Sequence, residues 1–225
     1  MTHRLPLGLV LAVSLWAVTT SSLQRRLAES AQTLQDIMQS SDRTVPQSLL
    51  DKSECVIIVP GHKKGAFLIG AEYGRGFATC RSQGAGWSAP AAVRLEGGSF
   101  GFQAGGQETD IVMLVMNRRG AKRLMKSQFT LGGDAAVAAG PVGRTVEAST
   151  DALLTAEILT WSRTRGLFAG VSLQGVTLRH DRKANEELYG QPWSTSDVVF
   201  SGLEPSQAAL PLMNLLNRYS SRPVR

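Results

Sequence analysis

Histidine and cysteine are scarce in this 225-residue chain, which has three of the first and two of the second. His3 falls in the leading segment, which leaves His62 and His180 for any histidine-based mechanism. A structural zinc site draws about four ligands from closely spaced Cys and His pairs. No such pair occurs, so no metal is expected. The Walker A pattern and G-x-G-x-x-G are also absent, since Gly74-Arg75-Gly76 lacks a third glycine at the needed spacing. Nucleotide binding therefore has no support. The acidic residues are scattered, and paired-carboxylate hydrolysis cannot be argued from them. Gly97-Gly-Ser-Phe-Gly101 does match G-x-S-x-G. A nucleophile elbow, however, needs a strand, a strained turn and then a helix. Phe102-Gln-Ala-Gly-Gly-Gln107 is a poor helix, so a hairpin turn is expected at Ser99 instead of a catalytic serine. No catalytic residue and no cofactor is expected, and the chain reads as a binding protein, not an enzyme.

Long apolar runs are missing as well. The longest, Leu5 to Val18, contains Pro6 and Gly8 and is too short to span a bilayer comfortably. It follows Arg4 and precedes the small polar residues Thr19 to Ser22, the order of a secretory signal peptide. Residues 1–22 are thus expected to be a signal peptide. No clean Ala-x-Ala precedes residue 23, which keeps an uncleaved N-terminal anchor open, and no nearby cysteine suggests a lipoprotein. The expected location is exported, either periplasmic or peripheral on a membrane. Cys55 and Cys80 would then meet an oxidising compartment. Both lie on predicted strands, and the register decides between a disulfide and two small buried thiols.

What is present is a basic, globular composition. The chain is 43% hydrophobic and 19% charged, with a formal charge of +6. Loss of residues 1–22 would remove Arg4 and no acid, leaving +5. A basic surface favours acidic partners such as anionic lipid head groups, nucleic acid or acidic glycans, and export argues against nucleic acid. No fixed-period repeat or long linker divides residues 23–225, so one domain is the economical reading.

From Leu23 to Met38 the residues Leu23, Leu27, Ala31, Leu34, Ile37 and Met38 recur at helical spacing opposite a polar face. This predicts an amphipathic helix, capped by Ser21 or Ser22, that packs on its own domain or lies on a membrane. Thr44 to Leu50 reads as a short helical turn. Between Glu54 and Met116 short runs alternate with glycine, predicting strands at 55–59, 66–71, 76–81, 91–95, 99–104 and 110–115. Asn117 caps a helix expected over 118–128, and further strands are expected over 135–139 and 166–178. Helices follow at 181–188, closed by Gly190, and at 206–219, with Pro211 in its first turn. The fold class is α+β: a glycine-rich antiparallel sheet or incomplete barrel covered by helices.

The segment Arg118-Arg119-Gly-Ala-Lys122-Arg123-Leu-Met-Lys126 carries five cations and no acid. On a helix the five fall within an arc of about 140°, opposite Ala121, Leu124 and Met125. Such a face suits a plane of phosphates, at about 1 kcal/mol per cation, and the amides at the helix start would add to it. A solvated charged face is the plainer alternative. Lys63 and Lys64, in an expected loop after Pro60-Gly61, would extend the patch if the fold brings them near.

Several strings become specific together: Cys55-Val-Ile-Ile-Val-Pro-Gly61, Gly86-Trp-Ser-Ala-Pro90, Gly101-Phe-Gln-Ala-Gly105, Thr109-Asp-Ile-Val112, Leu131-Gly-Gly-Asp134, Ala138-Ala-Gly-Pro-Val-Gly-Arg144, and Trp161 through Gly175. In this order they resemble the SYLF domain of yeast actin-patch proteins, animal SH3-containing phosphoinositide binders, plant FYVE-containing proteins and many bacterial exported proteins. The match covers roughly residues 30 to 190. The resemblance implies a lipid-binding module without established catalysis, in which an amphipathic segment at the start of the domain is linked to membrane binding. It carries over no ligand set residue by residue. An exported bacterial member would meet phosphatidylglycerol or cardiolipin in place of phosphoinositides. Trp87 and Trp161 are expected in the core or its margin. The resulting expectation is peripheral binding of anionic phospholipid through Arg118, Arg119, Lys122, Arg123 and Lys126, with the N-terminal helix inserting. The alternative is an envelope scaffold that meets an acidic protein or glycan.

Overall fold

A computed structural model describes residues 21–40, 44–67, 69–82, 86–100, 105–141, 156–164, 167–168 and 173–220. Most of the expected signal segment lies outside them.

Strand β1 (Cys55–Phe67) opens with five apolar residues in a row. A strand with one wet face alternates, whereas an unbroken apolar run needs two buried faces. Both are supplied. Val56 and Ile58 enter one core, while Cys55, Ile57 and Val59 enter a second on the opposite face, each no more than 1% exposed. The run Ile111 to Val115 of β4 (Gly105–Val115) divides in the same way, paired antiparallel with β1 from Cys55↔Val115 to Val59↔Ile111. Strand β2 (Ile69–Cys80) flanks β1 on its other side, and β3 (Ala91–Phe100) follows β2. With β5 (Gln128–Thr130), β6 (Val137–Ala139), β7 (Ile158–Thr164), β8 (Leu167–Phe168) and β9 (Thr177–His180), the order is β5-β9-β3-β2-β1-β4-β7-β6, with β8 on β7. The β6–β7 pair is parallel and the other neighbours are antiparallel. The expected α+β fold with an incomplete barrel is borne out, with a mixed edge.

Helix α1 (Ser22–Gln39) begins at a capping box, in which Ser21 Oγ accepts from Gln24 N–H and Gln24 Oε1 accepts from Ser21 N–H. Its stripe of Leu23, Leu27, Ala31, Leu34 and Ile37 is buried in the first core against Phe77, Leu114, Leu159 and Trp161. Leu212, Met213 and Leu216 of the C-terminal helix α6 (Leu210–Tyr219) join it there. Arg163 of β7 also ties the polar side of α1 to the sheet, 2.7 Å from Asp36 and 3.0 Å from Asp110 of β4. The apolar face of α1 is consumed by the fold. Of the two readings of its amphipathic pattern, packing on its own domain is the one the structure bears out, and the buried stripe is not presented for insertion.

The second core is closed by α3 (Arg118–Leu124), β5, β9 and α5 (Thr195–Phe200), through Leu124, Phe129, Leu178, Val198 and Val199. The remaining helices are α2 (Gln47–Lys52) and α4 (Arg182–Tyr189), the latter capped by Asp181 and ended by the left-handed Gly190.

Six short strands were expected between residues 54 and 116, and four long ones are present. Gly65, Gly74, Gly97 and Gly98, which fall between the expected strands, lie within the long strands of the sheet. Residues 66–71 straddle the end of β1 and the start of β2. Ser99 and Phe100 finish β3, and 101–104 lie outside the described residues. Two glycines have specific work. Gly61, with φ 56°, sits at the β1 irregularity and donates its N–H to Asp110 Oδ1 at 2.9 Å. A Cβ on Gly76 would clash with the backbone carbonyl oxygen of Ile58. Gly76→Ala is expected to destabilise the domain by about 3 kcal/mol or more, at or above the upper end of overpacking costs. A lowered urea midpoint against wild type is the check, and Gly65→Ala, where the added methyl meets open space, is the control.

Candidate functional site

Asn117 caps α3, its Oδ1 accepting from Gly120 N–H at 2.8 Å. One of the helix-start amides expected to help hold an anion is thus already engaged. The helix is shorter than the predicted 118–128 because Gln128 is drawn into β5, which leaves Lys126 beyond the helix.

The fold divides the five cations. Glu157 precedes β7 and is buried beneath α3, with Arg119 Nε 2.9 Å from Oε1 and Arg123 Nε 3.1 Å from Oε2. The Arg123 contact is an ion pair without hydrogen-bond alignment. Arg123 is mostly covered and serves as countercharge to a buried carboxylate, while Arg119 is 76% exposed and its pair is worth little. Arg118, Lys122 and Lys126 are exposed and form no ion pair among the described residues. Nothing within the basic stretch revealed Glu157, which arrives from a distant strand.

Lys63 and Lys64 lie on β1, not in a loop, opposite Glu108 and Gln107 of β4. At ~3.3 Å per residue they stand roughly 26 Å along the strand from Cys55, the end at which α3 sits. They form no patch with α3.

At that end of the sheet lies a cavity of ≈ 610 Å³ between α3, the β1–β2 pair and α5. Cys55 and Cys80 are directly opposed across β1 and β2, joined by a disulfide, and line it. Ala121 and Met125 form a wall, and Phe200, 61% exposed, stands at the lip. Arg118, Lys122, Glu54 and Ser196 supply its polar rim. Arg81 also borders it, but its guanidinium is committed elsewhere, donating to the carbonyls of Leu50, Ser53 and Ser220 and stacking 3.6 Å over Trp87. Those carbonyls end α2 and α6, where a cation is favoured. Phe200 and Ser196 were missed because α5 was not predicted. The signal was the capping box formed by Ser194 and Asp197.

The remaining candidates are dispersed. Ser99 lies on β3 with its backbone opposite Gly70. Phe100 continues the same strand and β4 begins at Gly105, so no helix follows Ser99 among the described residues. A β3–β4 hairpin turn is equally ruled out, because β2 and β1 separate β3 from β4. His180 ends β9 with Nε2 3.3 Å from the Leu124 carbonyl oxygen, and burial lowers its pKa. His62 on β1 is 2% exposed, and burial, with a smaller push from Lys64, lowers its pKa to about 4. Its Nε2 is 3.7 Å from Oε2 of Glu72, too far for a hydrogen bond, and neither atom has a partner among the described residues. Burial raises the pKa of Glu72, against a smaller opposite effect of Lys64.

His62 stays neutral in the fold where the unfolded chain would protonate it, so its contribution is lost as pH falls from about 6.5 towards 4. Glu72 acts in the opposite sense, because its folded pKa is raised and stability is lost as pH rises through it. His62→Gln removes the first effect. Wild type should lose on the order of 3 kcal/mol more than His62→Gln between pH 7 and 4, as read from urea midpoints across that range.

Residues 96–219 match the Ysc84 family model, described as Las17-binding protein actin regulator. The chain is 31% identical over 182 residues to SH3 domain-containing YSC84-like protein 1 of Rattus norvegicus and of Homo sapiens, covering 80% of this chain and 53% of each relative. It is 31% identical over 179 residues to LAS seventeen-binding protein 3 of Saccharomyces cerevisiae, covering 78% of this chain and 39% of that protein. The chain spans about half the length, or less, of these curated relatives. Their names speak of binding and of an SH3 domain, not of a reaction. With a family model matching more than half of its length and relatives aligned along four-fifths of it, the chain belongs to the Ysc84 family of SYLF domains.

Proposed function

We propose that this domain binds anionic phospholipid peripherally, as an exported protein without catalytic activity. The observation that carries this reading is the pair Arg118 and Lys122 at the rim of an apolar cavity with Phe200 at its lip, with Lys126 just beyond the end of α3, all three cations exposed and without ion pairs among the described residues. Three such cations near an anionic surface contribute about 3 kcal/mol. Burying an aromatic side chain adds roughly 2 kcal/mol. Together these suit reversible adsorption. Phe200 supplies the apolar contact that α1 cannot. Export is supported by the order of residues 1–22 and by the disulfide, which persists in oxidising compartments. Phosphatidylglycerol and cardiolipin are then the head groups within reach.

The family description and the yeast relative's name favour a second reading, in which an acidic protein partner meets the same cations. It predicts partner capture with no binding to pure lipid.

Flotation with neutral, phosphatidylglycerol and cardiolipin vesicles separates the two. Binding should be confined to the anionic vesicles and weaken as salt rises. The double variant Arg118→Glu/Lys122→Glu should lose roughly 100-fold or more in affinity for them, while Lys63→Glu/Lys64→Glu, at the other end of β1, should bind as wild type does. Equal binding by both double variants would remove this site from the reading, and no flotation at all would turn it to the protein partner.

A further inference from the structure

The cations near α3 account for attraction to an anionic surface, but a flat charged surface needs no cavity behind it. The ≈ 610 Å³ space lies within the ~300–1,000 Å³ of small-molecule sites. Its interior and its mouth differ in chemistry. The interior is the Cys55–Cys80 disulfide with Ala121 and Met125, none of which offers a strong hydrogen-bonding group. Methionine is the side chain that best adapts its shape to a flexible apolar guest.

The mouth carries Arg118 and Lys122 against one acid, Glu54. Arg81 is occupied by three backbone carbonyls and Trp87, so it shapes the site and does not hold a ligand head. Phe200 stands beside the opening, where it would cover a chain leaving the cavity. An occupant with an apolar tail and an anionic head satisfies both regions. A head alone would leave the interior unfilled, and a neutral hydrocarbon would leave two cations unmatched.

We infer that the cavity lodges one acyl chain of an anionic phospholipid, with the phosphate held at Arg118 and Lys122. The inference deepens the proposed membrane reading and rests on the same site. It adds that the lipid is held by its chain as well as attracted by its charge. Each methylene drawn into the cavity tightens binding roughly fourfold, until the chain reaches the disulfide.

The probe is lysophosphatidylglycerol of increasing chain length, titrated into the full chain by calorimetry below the aggregation concentration of each lipid. Affinity should rise by that factor per methylene and then level off. Ala121→Trp, which fills the cavity, should abolish the chain-length dependence and cost the longest chain at least about 10-fold, while adsorption to phosphatidylglycerol vesicles persists through the unchanged cations. Met125→Glu, which places a carboxylate in the wall, is the second variant should Ala121→Trp fail to fold, and thermal melts establish folding for both. Vesicle adsorption without uptake of the monomeric lipid, or uptake independent of chain length, overturns the inference and leaves the membrane reading intact. Chain-dependent uptake without vesicle adsorption supports the pocket and removes the membrane reading. Equal affinity for a monoacylglycerol of the same length overturns the assignment of the anionic head, and equal affinity for the fatty acid anion overturns the phosphate in favour of a carboxylate.

Discussion

The burial of β1 and β4 on both faces is the constraint on which the rest of the molecule depends. Two adjacent strands whose every side chain is apolar from 55 to 59 and from 111 to 115 cannot leave either face to water. One cover is the pair α1 and α6, and the other combines α3, α5 and the β5–β9 edge. That second cover also sets the candidate site. Leu124 anchors α3, while Val198 and Val199 anchor α5, and the gap between those helices at the Cys55–Cys80 end of the sheet is the cavity. The site is thus a by-product of core packing at one end of a doubly covered sheet.

Charge at the site is divided between structure and surface. Removing one partner from a buried carboxylate pair costs on the order of 3–5 kcal/mol, which explains why Arg123 is held on Glu157. Arg81 is committed in the same way, closing the ends of α2 and α6 around Trp87. What remains outside these duties is Arg118, Lys122 and Lys126. A second buried polar pair, His62 and Glu72, lies further along β1 and β2, where it affects stability against acid and not the chemistry of the cavity.

The longer relatives fit a module that is used beside other parts. The proposed binding by charge and by an apolar chain would require no moving catalytic group and would suit one domain set among different neighbours. The surface at α3 and α5 is where such settings would differ, since its exposed side chains are released from packing.

Much of the local structure was legible along the chain because its causes are local. The stripe of Leu23, Leu27, Leu34 and Ile37 specified α1, the serines at 21 and 22 its start to within one residue, Asn117 the start of α3, and Gly190 the end of α4. The unbroken runs at 55–59 and 111–115 marked strands, and the ordered glycine and aromatic strings carried the family. Strand lengths were misread because glycine serves a ladder and a turn equally well, and the cross-strand partner that decides between them is distant in sequence. Strand β7 and helix α5 were overlooked despite a buried apolar run and a capping box.

The site was legible only as a cluster of cations. That Glu157 would claim two of them, that Lys63 and Lys64 would stand at the far end of β1, and that Phe200 would reach the cavity all follow from strand order and register. The sequence by itself determined the elements, their caps and the family, through interactions spanning a few residues. The tertiary structure alone decided which charges remain free and what faces them, because burial and pairing are set by groups that meet only when the sheet is assembled.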